Sequence, residues 1–285
     1  MKNKFKFFNC IPILLAVILA STSCSNITLK KNKVYVSSGT DFMGESQINK
    51  NLFNSFDQLP DVEPVAFPET RTIKLPDGTE VEGKKSFQST IGGKNGFPHA
   101  KYDISSLEFR IDVTEDGMVL GFEKNVKWTE TDTWEPVLSD DELIKKAKYH
   151  FRSFFGRDIP EGCEVIVSWD YTPQKQKSRA EVFFSKQSEG YTWSSGISIG
   201  MTANGELLKM WDHIQLITGK DIPSGFSGEI ENQIENWIKD KNTLFTISQK
   251  KLRLSGDGTL IAHAYVELEP ADGTPFGVGV SIPLE

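Results

Sequence analysis

The side chains able to do chemistry are few in this 285-residue chain, and their spacing argues against most reactions. The four histidines, His99, His150, His213 and His263, lie far apart. None forms the i, i+4 pair around a glutamate that sets two imidazoles on one helix face for zinc. His150 falls beside an apolar stripe through Ala147 and Phe151 and is expected to be a packed, structural histidine. A serine nucleophile elbow needs Gly-x-Ser-x-Gly between a strand and a helix. The nearest string, Gly225-Phe-Ser-Gly228, is one residue short, and Ser227 reads better as a helix N-cap. Gly92-Gly-Lys-Asn-Gly96 is glycine-rich, but no Gly-Lys-Ser/Thr follows and no helix opens there to cradle a phosphate. A plain loop is expected.

The stretch from Asp112 to Glu123 carries Asp, Thr, Asp, Gly and Glu at positions 1, 3, 5, 6 and 12, the ligand positions of a helix-flanked calcium loop. Residues 107–113 alternate like a strand, however, so a hairpin is expected instead. Cys163 heads an alternating apolar run and is expected to act as a small buried hydrophobe. Trp128, Trp134, Tyr191 and Trp193 could form a platform for glycans or peptides, although aromatics at unit boundaries more often pack the units together. No catalytic residue, metal ligand or cofactor is assigned.

The elements that would position these groups are mostly strands. Asp77-Gly78, Asp116-Gly117, Asn204-Gly205, Asp257-Gly258 and Asp272-Gly273 are tight-turn signals, read here as type I′ hairpin turns. Between them the chain alternates with period two: Leu107, Phe109, Ile111 and Val113; Val165, Val167, Trp169 and Tyr171; Leu260 through Leu268. Such alternation means antiparallel sheet with one covered face. Two amphipathic helices interrupt the strands. Ser139 with Glu142 is a capping box opening the first, Leu143, Ala147, Phe151 and Phe154 form its stripe, and Gly156 stops it. The second starts near Ser227 and carries Ile230, Ile234, Trp237 and Ile238 on one face.

The segments recur. Gly196-Ile-Ser-Ile199 matches Gly279-Val-Ser-Ile282, and Ile111-Asp-Val-Thr-Glu-Asp-Gly117 parallels Ile199-Gly-Met-Thr-Ala-Asn-Gly205. A spacing near 85 residues implies duplicated small domains. The expected architecture is α+β: two tandem helix-on-antiparallel-sheet units at 136–218 and 224–285, preceded by a strand-rich unit at 69–135 and by a tether and strap at 24–68.

The N-terminus reads as an export signal. Lys2, Lys4 and Lys6 precede the apolar run Ile11–Ala20, followed by small residues. That run is far shorter than the ~20 residues a membrane-spanning helix needs. Ala20-Ser-Thr-Ser-Cys24 resembles the lipobox of bacterial lipoproteins, with Ser21 where that family usually has an aliphatic residue. The resemblance implies removal of residues 1–23 and attachment of a diacylglycerol to Cys24, giving a cell-envelope protein lipid-anchored to the outer face of the plasma membrane or to the outer membrane. Loss of the three signal lysines takes the formal charge from −7 to −10. So acidic a chain is a poor match for nucleic acid, whose phosphates need a basic surface. It would also be repelled by anionic lipid, leaving anchoring to the two acyl chains.

The helix Leu143-Ile-Lys-Lys-Ala147, the strand Glu181-Val-Phe-Phe184 and the run Ile197-Ser-Ile-Gly-Met-Thr-Ala-Asn-Gly-Glu-Leu207 resemble the PepSY family and the YcdB/YcdC-type repeats of bacterial envelope proteins. The family often has Asp after the strand, where Met201 and Val113 stand here. The resemblance covers residues 138–285, with a weaker echo at 105–123. It implies a non-catalytic binding or peptidase-inhibitory module with an envelope protein as partner. The alternatives from other classes are an envelope hydrolase with dispersed catalytic residues and a lipid-anchored glycan binder using the tryptophans.

Overall fold

The computed structural model describes residues 35–38, 65–91, 96–125, 133–238, 243–270 and 275–284, with backbone alone at 35–38, 237–238, 243, 270 and 276. The described chain is mostly antiparallel sheet with few helices. The larger sheet has nine strands in the order β2 (Thr70–Lys74), β3 (Glu80–Ile91), β4 (Phe97–Ile104), β5 (Phe109–Val113), β6 (Val119–Lys124), β12 (Leu207–Asp212), β11 (Ile197–Thr202), β8 (Lys177–Ser185) and β7 (Glu164–Tyr171). The smaller has six, in the order β1 (Tyr35–Ser38), β15 (Phe276–Leu284), β14 (Leu260–Pro270), β13 (Thr243–Leu254), β10 (Tyr191–Trp193) and β9 (Gln187–Ser188).

Three antiparallel meanders build these sheets. They are β3–β4–β5–β6, β7–β8–β11–β12, and β13–β14–β15 with β1 as the fourth strand. The first two meet at their fourth strands, Met210 opposite Phe122 and Trp211 opposite Gly121. Gly121 permits that seam, because a Cβ there would lie 1.9 Å from the Met210 carbonyl oxygen. The strands of 69–135 therefore do not form a layer of their own. They continue without a break into those of 136–218. The sequence run near 193–202 also divides: β10 leaves for the smaller sheet, pairing parallel with β13, while β11 stays in the larger one.

The helices are α1 (Asp140–Phe155), a one-turn α2 (Ile214–Ile217) and α3 (Phe226–Ile238). Ser139 caps α1 with a complete capping box to Glu142, and Gly156 closes it in the left-handed region at φ 68°. The caps supply partners for backbone groups left free at the helix ends, worth about 1 kcal/mol at the N-terminus. Leu143, Ala147 and Phe151 are buried with Ile197, Ile199 and Met201, as the helical stripe and the strand alternation require. Phe226, Ile230 and Ile234 of α3 are buried in the same continuous core as Val280 and Ile282. Ile238 and Trp237 side chains lie outside the described residues, as do Lys239 and Lys241.

Two local expectations change. Leu107 is exposed in the four-residue turn before β5, which begins only at Phe109. The Asp-Gly and Asn-Gly turns are not type I′, which needs positive φ at both central residues. Only the glycine is left-handed, at 88°, 92°, 84° and 81° for Gly78, Gly117, Gly205 and Gly258. Each glycine N–H donates back to the residue three earlier, to Leu75, Thr114, Thr202 and Ser255. This is a type I turn closed by a glycine bulge. Asp272-Gly273 lies outside the described residues.

Candidate functional site

The polar side of the large sheet gathers groups that are distant in sequence. Residues opposite one another on paired strands share a face, so Lys101 pairs with Asp112, Arg110 with Glu123, and Glu123 with Lys209. Most of these charges are matched at the surface: Lys101–Glu123 at 3.3 Å, Arg110–Asp103 at 3.2 Å, Lys209–Glu181 at 3.1 Å and Arg179–Asp170 at 3.4 Å. Exposed pairs of this kind contribute little to stability. Trp211 lies between two of the cations, with Lys101 Nζ 5.0 Å and Lys209 Nζ 4.9 Å from its ring centre. The protein's own side chains therefore already contact this ring.

Elsewhere on this sheet polar groups are buried. His99 Nδ1 lies 2.6 Å from Asp112 Oδ1, and both side chains are out of solvent. His213 is the next imidazole. Burial pushes it down to about 4, against the pull of the Asp112 carboxylate and with repulsion from His99 and Lys101. Its Nε2 is buried without a hydrogen-bond partner. Asp212, fully buried beside it, is bridged by Arg157, and burial still raises its pKa. A histidine held by an aspartate resembles half of a hydrolytic triad. Yet the two described surface depressions, lined around Asp103–Phe109 and around Arg179–Lys209, include none of His99, Asp112 and His213. Gly96, three residues before His99, bridges to Ser255, just past the end of β13.

The other feature is an edge. β7 ends the large sheet, and among the described residues no strand pairs with its outer side. Its eight residues are exposed or half-exposed throughout, including Val165, Ile166 at 59% and Tyr171 at 58%. Val167 and Trp169 lean on the core, and Trp169 donates its indole N–H to Asp140 of α1 at 2.9 Å. A long edge strand with apolar side chains and no proline, bulge or lysine along most of its length is a template for another strand. The alternation of Val165, Val167 and Trp169 was visible in the sequence. Nothing in it marked this run, rather than any other, as the sheet's edge.

Other singled-out residues take structural roles. Ser227 lies within α3, not at its cap: the Glu189 carboxylate, reaching from the turn before β10, accepts from Ser227 N–H at 2.9 Å. The calcium-like string is the β5–β6 hairpin, and its acids are dispersed. Asp112 holds His99, Asp116 meets Thr114, and Glu123 meets Lys101. Among the described residues no group of three histidine, cysteine or acidic side chains is placed to hold a metal. Cys163 is half-buried, and burial raises its thiol pKa. His150 lies 3.2 Å by Nε2 from the Gly205 carbonyl, tying α1 to the β11–β12 turn. Tyr191 and Trp193 are buried, Tyr191 against Phe226 of α3, so they pack rather than present a platform. Cys24 and Trp128 lie outside the described residues. No described helix is long and apolar enough to cross a membrane.

No family model matches the sequence, and no curated protein matches it. Among solved structures, the C-terminal domain of Bacillus megaterium YpeB is similar at 14% identity and a TM-score of 0.30, over 70% of this chain and 88% of that one.

Proposed function

We propose that this chain is a lipid-anchored envelope protein that acts as a non-catalytic binding module, holding a protein partner on the outer edge of β7. One observation carries the reading: an eight-residue apolar edge strand at the end of a nine-stranded sheet, exposed along its length. Strand addition to such an edge supplies main-chain hydrogen bonds for affinity and alternate side-chain positions for selectivity. The lipid on Cys24 would hold the module at the membrane. The partner class, an envelope protein such as a peptidase restrained by the module, comes from the PepSY resemblance of tandem helix-on-sheet units.

Ile166→Lys tests it. The side chain is exposed, so the fold should be unaffected, while a lysine on an edge strand discourages pairing. Envelope proteins cross-linked to the wild type in intact cells should be lost from the variant at equal abundance. Undiminished capture by the variant would show that β7 is not the interface.

A further inference from the structure

The three meanders are equivalent by strand order, and each has a first strand whose outer edge faces away from the rest of the unit: β3, β13 and β7. Two of these edges are covered, β3 by the preceding strand of its own hairpin and β13 by a strand from a distant part of the chain. β2 adds antiparallel to β3 over five residues, from Thr70 opposite Lys84 to Lys74 opposite Glu80. β10 adds parallel to β13, with Trp193 opposite Leu252. The third edge, on β7, carries no such strand among the described residues.

The two resident strands share a pattern. β2 turns Ile73 into the core and leaves Thr70 and Thr72 exposed. β10 buries Tyr191 and Trp193 on either side of the half-exposed Thr192. Each therefore sets threonine hydroxyls on one side and buried apolar side chains on the other, Ile73 in β2, where Arg71 shares the row, and Tyr191 and Trp193 in β10. β7 offers a similar seat, since Val167 and Trp169 pack against the core while half-exposed and Val165 extends their row into solvent. Its other row, Glu164, Ile166, Ser168 and Asp170, carries two carboxylates.

Resting on the reading of β7 as an interface, we infer that its occupant is a short extended segment of another protein in which apolar residues alternate with threonine or serine, flanked by basic rather than acidic residues. The apolar row completes the side shared with Val165, Val167 and Trp169. The hydroxyls stand beside Ser168, and a terminal lysine or arginine meets Glu164, whose resident partner is the neutral Gln187 side chain, whereas Asp170 faces Arg179. The segment adds as β2 and β10 do within the chain, through backbone pairing that is available in either direction.

The probe is a fluorescent ten-residue peptide alternating Val and Thr with a lysine at each end. It should bind the purified folded chain and slow amide exchange within residues 164–171. Replacing the lysines by glutamate should weaken binding at least threefold, and N-methylation at alternate residues should abolish it. Val165→Lys, a partly exposed position, should weaken it at least tenfold. Protection falling only on β3 or β13, or binding unaffected by N-methylation, overturns the inference. So does self-association of the chain through β7 that Ile166→Lys removes, which would make a second copy the occupant. If the peptide fails while cross-linking in cells still depends on Ile166, the stated chemistry is wrong and the interface stands. If the cross-linking is also indifferent to Ile166, both fall.

Discussion

His99 and Asp112 sit diagonally across the β4–β5 ladder, where Lys101 is directly opposite Asp112, and the imidazole Nδ1 meets the carboxylate at 2.6 Å, out of solvent. Diagonal neighbours on one face lie within reach of long side chains. Burying such a pair commits each partner to the other, because either one alone would be a desolvated polar group without a mate.

Asp112→Ala should accordingly destabilise the chain by about 1–3 kcal/mol, the range for an orphaned buried polar group. Urea denaturation measures it. His99→Ala combined with Asp112→Ala should cost less than the sum of the single changes, by about 0.5 kcal/mol or more. Strict additivity would mean that the pair carries no coupling.

Acid should weaken the fold through its histidines. Burial pushes both His213 and His263 from the ordinary 6.5 to about 4. Between those values the unfolded chain binds protons that the folded chain refuses, so stability is fully present above the unfolded value and falls as the pH drops toward 4. Asp212 has the opposite sign. Its burial raises the folded pKa, so its contribution is greatest at low pH and is lost as the pH rises through that value. His150, lowered by burial, has the same sign as the other two rings, and hydrogen bonds that hold Asp77, Glu142 and Asp257 low add to the loss, so against Asp212 the net effect of acid is destabilising. Urea midpoints at pH 7, 5.5 and 4.5 should decline in that order, and His213→Gln should flatten the slope. A midpoint constant over this range would contradict the buried, neutral state of both rings.

The glycine turns separate backbone strain from crowding. Gly78 and Gly205 are both left-handed, at φ 88° and 84°. A Cβ on Gly78 would meet nothing, so Gly78→Ala should cost only the left-handed penalty of about 1–2 kcal/mol. On Gly205 it would lie 2.3 Å from Lys146 Cδ and 2.9 Å from Leu138 Cδ1. Gly205→Ala should therefore be the more destabilising of the two by about 1 kcal/mol. Equal thermal shifts for the two variants would rule out the crowding contribution.

Cys24→Ala should release the protein from the detergent-extractable membrane fraction into a soluble or uncleaved form. Mass spectrometry of the mature wild type should find an acylated N-terminal cysteine. An unmodified mature N-terminus would remove the anchor from the proposed function.

Helix α1 was legible residue by residue, since Ser139, Glu142 and Gly156 act locally and the stripe of Leu143, Ala147 and Phe151 has the helix's own period. The facing Ile197–Ile199–Met201 row was legible for the same reason. Ser227 misled because a cap can come from outside the segment, and here Glu189 supplies it. The His99–Asp112 pair was recoverable only with the hairpin register. Closing the turn between Ile104 and Phe109 puts both on one face, whereas the expected strand start at Leu107 obscured it. The departure of β10 into the other sheet left no trace, because Tyr191 and Trp193 continue the same period-two alternation as β11. Periodicity reports which side of a strand is buried, not which neighbour it chooses.

The pairing of β1 with β15 has a consequence for the order of assembly. Tyr35 lies opposite Ser281, so β1 finds its partner only after all the strands from β2 to β14 have been made. The equilibrium penalty for closing so long a loop is modest, growing by only about 0.6 kcal/mol per doubling of length. The delay is not modest, because non-local strand pairings are slow to form. The first two meanders can complete their four strands from contiguous sequence. The third waits, with the outer side of β15 open until the early strand returns to it, so the end of the chain nearest the proposed anchor is the last to be locked into the fold.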